Sequence, residues 1–175
     1  INYSTFGGSD NELDEAKPSN LLGFRFGVQQ NLANGWIAGA TYTQRGALYS
    51  DSADGMDMDA TFKINYLTGY VTKPFPMQAG FDLFAGMEVG YFLGANIGFE
   101  VCLDGDCVSE DEEYDGDDWD DMDGSMIDYG LVVGGQYSIN QQISIVGTYY
   151  LGLSSISTED DIKNSGLTIN VAYGL

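Results

Sequence analysis

The chain has 175 residues, a net charge of −21 from 6 basic and 27 acidic side chains, and no histidine. Such a charge excludes nucleic acid as a partner, because one polyanion repels another. The absence of His removes the Ser-His-Asp and His-Asp catalytic arrangements, and nothing among the many acids singles out a catalytic pair, so no enzyme is expected.

Abundant Gly (24), Tyr (12) and Phe (9) beside only 3 Pro suggest one all-β domain over 1–175. Residues 1 to about 6 form a short, polar first strand, read as the stump of a longer one. Over 22–30, Leu22, Phe24, Phe26 and Val28 alternate with Gly23, Arg25, Gly27 and Gln29, the period-2 signature of a strand. Over 36–46, Trp36, Ala38, Ala40 and Tyr42 oppose Ile37, Gly39, Thr41, Thr43 and Arg45. Over 62–73, Phe62, Ile64, Tyr66 and Tyr70 oppose Lys63, Asn65, Gly69 and Lys73. A long alternation over 81–100 puts Phe81 through Phe99 on an apolar face and Asp82, Glu88 and Glu100 on the other. Segments 127–137, 143–153 and 167–175 alternate in the same way, with Asp128 on the polar face of the first.

That makes eight strands, and an even number lets an antiparallel barrel close. The connections 30–35, 74–80 and 138–142 are short, while 7–20, 50–60, 101–125 and 154–165 are long. All but four of the 27 acids fall in the long connections and none in the short ones. The charged strand residues Arg25, Arg45, Lys63, Lys73, Asp82, Glu88, Glu100 and Asp128 all fall on the polar face and are expected to pair inside a lumen. The opposite face carries no charge, which suits lipid, where a charge near the midplane costs about 2–4 kcal/mol. A soluble barrel would be inverted, greasy inside and charged outside. The expected fold is therefore an eight-stranded antiparallel up-and-down transmembrane β-barrel with long acidic extracellular loops.

Cys102 and Cys107 flank a Leu-Asp-Gly-Asp turn and are expected to form a disulfide, implying an oxidising compartment; two free thiols are the alternative. The segment 114–124 is dense in hard oxygen ligands, and Asp115, Asp117, Asp118, Asp120, Asp121 and Asp123 are the candidate set for a loosely bound calcium ion. The EF-hand spacing is not met, and a solvated acidic loop is the alternative. No other cofactor is expected. Inward Phe84, Phe92, Tyr150 and the basic side chains should fill so narrow a barrel, which disfavours a solute channel. Trp36, Phe75, Phe81, Tyr137 and Tyr173 suit one interfacial girdle, and Tyr42, Tyr49, Phe62, Tyr91 and Tyr129 the other.

The runs LLGFRFGVQQNLANGWIAGATYTQRG (21–46), FKINYLTGYVTKPFP (62–76) and FDLFAGMEVGYFLGA (81–95), with the closing SGLTINVAYGL, resemble the small outer-membrane β-barrel proteins common in Bacteroidetes, of the OmpX/OmpA-like eight-stranded type. The resemblance implies a bacterial outer-membrane location with the long loops extracellular and lipid as the surrounding partner. It implies no assigned activity. On this reading the barrel is an anchor, and the acidic loops contact another outer-membrane or surface protein, or cations. A structural envelope barrel and a solute channel are the other readings.

Overall fold

The computed structural model describes residues 1–8, 19–53, 56–78, 80–103, 106–121, 123–158 and 161–173. Ten strands and one short helix follow in chain order: β1 (Asn2–Gly8), β2 (Ser19–Gly23), β3 (Arg25–Asn31), β4 (Ile37–Ala53), β5 (Met56–Gln78), β6 (Phe81–Leu103), β7 (Asp106–Tyr114), α1 (Gly116–Asp121), β8 (Ile127–Ser138), β9 (Ile143–Gly152) and β10 (Ile162–Tyr173). All pairings are antiparallel. The ring closes because β1 pairs with β10 on one side and β2 on the other, while β2 and β3 both pair with β4. β2 and β3 are one stave interrupted at Phe24, so eight staves make the barrel and β7 lies outside it, paired with β6.

The interruption has a structural cause. Asn20 pairs with Ala47 but Arg25 with Thr43, so the β2–β3 stave carries one residue more than its partner over that stretch. Gly23 sits at the close approach: a Cβ there would lie 2.6 Å from the Gln44 carbonyl oxygen. Across the same gap, the Asn2 side chain donates to the Gln44 carbonyl at 2.6 Å and the Ser4 hydroxyl to that of Gly46 at 3.0 Å.

The alternation expected of 22–30, 36–46, 127–137, 143–153 and 167–175 is present. Leu22, Phe26, Val28, Ile127, Leu131, Tyr149, Leu151, Leu167 and Ile169 point outward and are exposed, whereas Thr41, Thr43, Arg45, Asp128, Thr148, Tyr150 and Thr168 are buried inside. A belt of bare apolar side chains around a polar interior is the arrangement of a barrel in lipid, with strands apolar outside and polar inside.

Three sequence expectations are corrected. First, the faces of β5 are reversed. Ile64, Tyr66, Thr68 and Thr72 are buried inside, and Leu67 and Val71 are exposed. Second, β6 carries a bulge: Tyr66 pairs with Phe92 and Asn65 with Gly94, leaving Leu93 unopposed. One extra residue swaps the faces, so Ala95 and Ile97 are buried while Leu93 is exposed. Third, segments 50–60 and 101–125 are not irregular loops. β4 and β5 pair out to Ala53 and Met56, β5 and β6 out to Met56 and Leu103, and β7 adds a fourth strand. A four-stranded sheet therefore projects past the barrel on the long-loop side.

Candidate functional site

Two regions concentrate polar chemistry: the lumen and the projecting sheet. In the lumen, Arg25, Arg45, Glu88 and Asp128 come together from β3, β4, β6 and β8. Arg25 Nη2 donates to Glu88 Oε2 at 2.6 Å, and Arg45 bridges Glu88 and Asp128 through its two terminal nitrogens. Asp128 Oδ1 accepts from the Tyr150 hydroxyl at 2.8 Å and the Ser154 hydroxyl at 2.9 Å, and Oδ2 accepts from Asn164 Nδ2 at 2.9 Å. The Arg45 guanidinium lies 3.7 Å from the Tyr150 ring centroid, and that of Arg25 lies 5.4 Å from the centroid of Tyr70. Two cations face two anions with nearly every valence met, which is what lets four charges persist away from water.

The other charges predicted for this network lie elsewhere. Lys73 reaches the short-turn rim and donates to the Asn34 and Gly35 carbonyls, each at 3.2 Å. Lys63 pairs with Gly46 and Asn96 on the outward register of β5. Glu100 lies beyond the bulge and is exposed. Asp82 keeps the inward register of Glu88, nearer the rim. Among the described residues, none of these four makes a salt bridge.

The charged layer divides the lumen. Toward the short turns lies an open cavity of about 1390 Å³, lined by Gln29, Thr72, Gln136, Ser144 and Thr148 among others, with Arg25 and Glu88 at its inner end. Toward the long loops the lumen is filled by Ile64, Tyr66, Phe92, Ala95, Phe6 and Ile156. Trp119 of α1 closes this cluster, stacked on Phe92 with ring centroids 4.9 Å apart. Gly124 makes room for it, since a Cβ there would lie 2.3 Å from the indole nitrogen. Phe62 and Tyr49, expected in a girdle, instead pack against this plug. Among the described residues, these side chains fill the long-loop half of the lumen.

The projecting sheet carries the acids. Asp59 stands directly opposite Glu100, and Asp57 opposite Cys102. The Cys102–Cys107 disulfide clasps the β6–β7 tip. Of the proposed calcium set, Asp115 caps α1, its Oδ1 accepting from the backbone N–H of Asp117 at 3.0 Å and of Asp118 at 3.2 Å. Asp123, at φ 58°, accepts from the Thr158 hydroxyl at 3.3 Å. Asp117, Asp118, Asp120 and Asp121 are exposed on or beside α1. Tyr114 donates to Glu112, and that bond to a carboxylate holds its phenol above the ordinary tyrosine range.

The family model described as outer membrane protein beta-barrel domain matches residues 1–158. Among solved structures, Neisserial surface protein A (NspA) is similar at a TM-score of 0.59 and 12% identity, covering 99% of this chain and 92% of that one. Ail, the attachment invasion locus protein of Yersinia pestis, is similar at a TM-score of 0.50 and 15% identity, covering 98% of this chain and 91% of that one. At these identities the likeness is one of fold. No curated protein matches the sequence.

Proposed function

Because the chain belongs to the outer membrane protein beta-barrel domain family and resides in the bacterial outer membrane, we propose that it is a non-enzymatic surface barrel whose extracellular acidic sheet contacts a cationic partner: a basic protein surface, or metal cations. The observation that carries this reading is the placement of Asp59 opposite Glu100 in paired strands. Like charges directly opposite in a ladder repel and weaken it. Asp57, one row nearer the tip, and Asp111, one row nearer the barrel, lie on the same face. A surface built against its own electrostatics is relieved when basic groups or cations bind, so the repulsion is recovered as affinity. The plugged lumen supports the same reading, since it leaves the interior to structure.

The test is a pull-down from detergent-solubilised outer membrane with wild type and with Asp57→Asn/Asp59→Asn/Glu100→Gln. A stoichiometric protein that accompanies wild type and is lost with the triple variant supports partner contact. A Ca²⁺-dependent rise in melting temperature that the triple variant lacks supports the cation arm. If both variants emerge alone and neither responds to Ca²⁺, the reading fails and a structural envelope barrel takes its place.

A further inference from the structure

The projecting sheet has two unlike faces. Successive strand residues point to opposite sides, so the face opposite Asp59 and Glu100 can be followed row by row. In one row Tyr49, Ala60, Phe99 and Glu110 stand side by side across β4, β5, β6 and β7. In the next, the order is Asp51, Met58, Val101 and Val108. Nearer the tip, Met56 and Leu103 are followed by Asp106. The two central strands thus present only apolar side chains, with carboxylates on the flanking strands. This stripe continues the lumen side of the wall: Phe62 packs on Phe99 at 6.4 Å between ring centroids, and Ile97 is buried. Beyond them Met58, Phe99, Leu103 and Val108 are exposed, Val108 at 74%. Contiguous apolar side chains rimmed by polar ones mark an interaction surface.

Dimensions and charge identify what fits. Two strands about 4.8 Å apart give a stripe roughly 10 Å wide, the diameter of an α-helix. Five residues of strand, from Phe99 to Leu103, span about 13 Å, between two and three helical turns. Carboxylates at both margins complement Lys or Arg flanking the apolar face of such a helix. A second copy would bring acid against acid in a chain of net charge −21. Anionic lipid headgroups would be repelled by the same margins. We propose that this face docks a basic amphipathic helix of a partner protein, an inference that rests on the extracellular sheet being a contact surface.

The test uses the full chain in nanodiscs of zwitterionic phosphatidylcholine and a fluorescent synthetic Leu/Lys amphipathic helix of about five turns. Binding is read by anisotropy, with the signal from empty discs subtracted. Met58→Ser/Val101→Ser is expected to weaken binding roughly tenfold or more and leave its salt dependence unchanged. Asp51→Asn/Glu110→Gln is expected to weaken binding and flatten the salt dependence. A Leu/Glu helix should not bind. Electrophoretic mobility without heating checks that each variant is folded. Binding indifferent to Met58→Ser/Val101→Ser overturns the proposal, as does pairing of discs through two copies of the chain. In the pull-down above, a partner kept by Met58→Ser/Val101→Ser but lost with the acidic-face triple variant leaves the acidic contact standing and removes this one.

Discussion

Replacing Arg45 by Met keeps an unbranched apolar stem and removes the guanidinium whose charge joins the lumen layer. Wild-type Arg45 pairs with both Glu88 and Asp128 and lies over Tyr150. After the change Glu88 keeps Arg25, and Asp128 keeps Tyr150, Ser154 and Asn164 as neutral donors. One net negative charge nevertheless remains in a buried site that held none. Breaking a buried pair by removing one partner costs about 3–5 kcal/mol. The surviving donors place the expected loss near the lower end, about 3 kcal/mol. Adding Asp128→Asn to Arg45→Met removes the stranded charge, so the double variant should be more stable than Arg45→Met alone. Reversible urea unfolding in lipid vesicles, followed by tryptophan fluorescence, measures all four corners of the cycle. A loss below about 1 kcal/mol, the worth of an exposed pair, would refute the placement of these charges in a dry, coupled layer.

The remaining predictions concern other regions. Leu131→Arg on the outward face should cost about 2–4 kcal/mol in the same assay, whereas Ser109→Arg on the projecting sheet should be nearly neutral. Wild type should give no steady single-channel steps in a planar bilayer, and neither should Tyr66→Ala/Phe92→Ala, because Phe6, Ile64, Trp119 and the charged layer remain. Trp119→Ala should speed Glu-specific proteolysis at Glu110, Glu112 and Glu113 roughly tenfold and also lower the urea midpoint, because it removes the buried ring that closes the lumen cluster. Cys102→Ser/Cys107→Ser removes a clasp worth about 2 kcal/mol on a loop-closure basis. Its effect should be faster hydrogen exchange confined to the β6–β7 tip.

The staves legible in the sequence are those whose lumen residues are small or polar. In 127–137 Asp128 and Gly130 mark the inside plainly, and in 143–153 Ser144 and Thr148 do the same. β5 misleads because the plug is itself aromatic: Tyr66 serves the interior as readily as it would serve lipid. The signal was nonetheless present, since Thr68 and Thr72 share its side while Leu67 and Val71 oppose them. The Leu93 bulge in β6 keeps an unbroken alternation on paper while exchanging the faces in space, and no residue type announces it. The projecting strands were hidden for a different reason. Outside lipid a strand needs no apolar outer face, and a run such as Ser109–Glu113 (SEDEE) has the composition of a loop. Of the lumen charges, Arg25, Arg45, Glu88 and Asp128 meet; Lys63, on the outward face of β5, and Glu100, beyond the β6 bulge, do not join them.

The central claim is that function lies on the extracellular sheet and the barrel beneath it is an anchor. A photo-crosslinking amino acid placed at Ser109, on the acidic face in the row of Asp59 and Glu100, tests this directly in intact cells. The control places it at Val89 on the lipid belt. The account predicts a discrete protein adduct from position 109 and none from 89. An adduct from 89 alone, or from neither position together with a melting temperature indifferent to Ca²⁺, would contradict it.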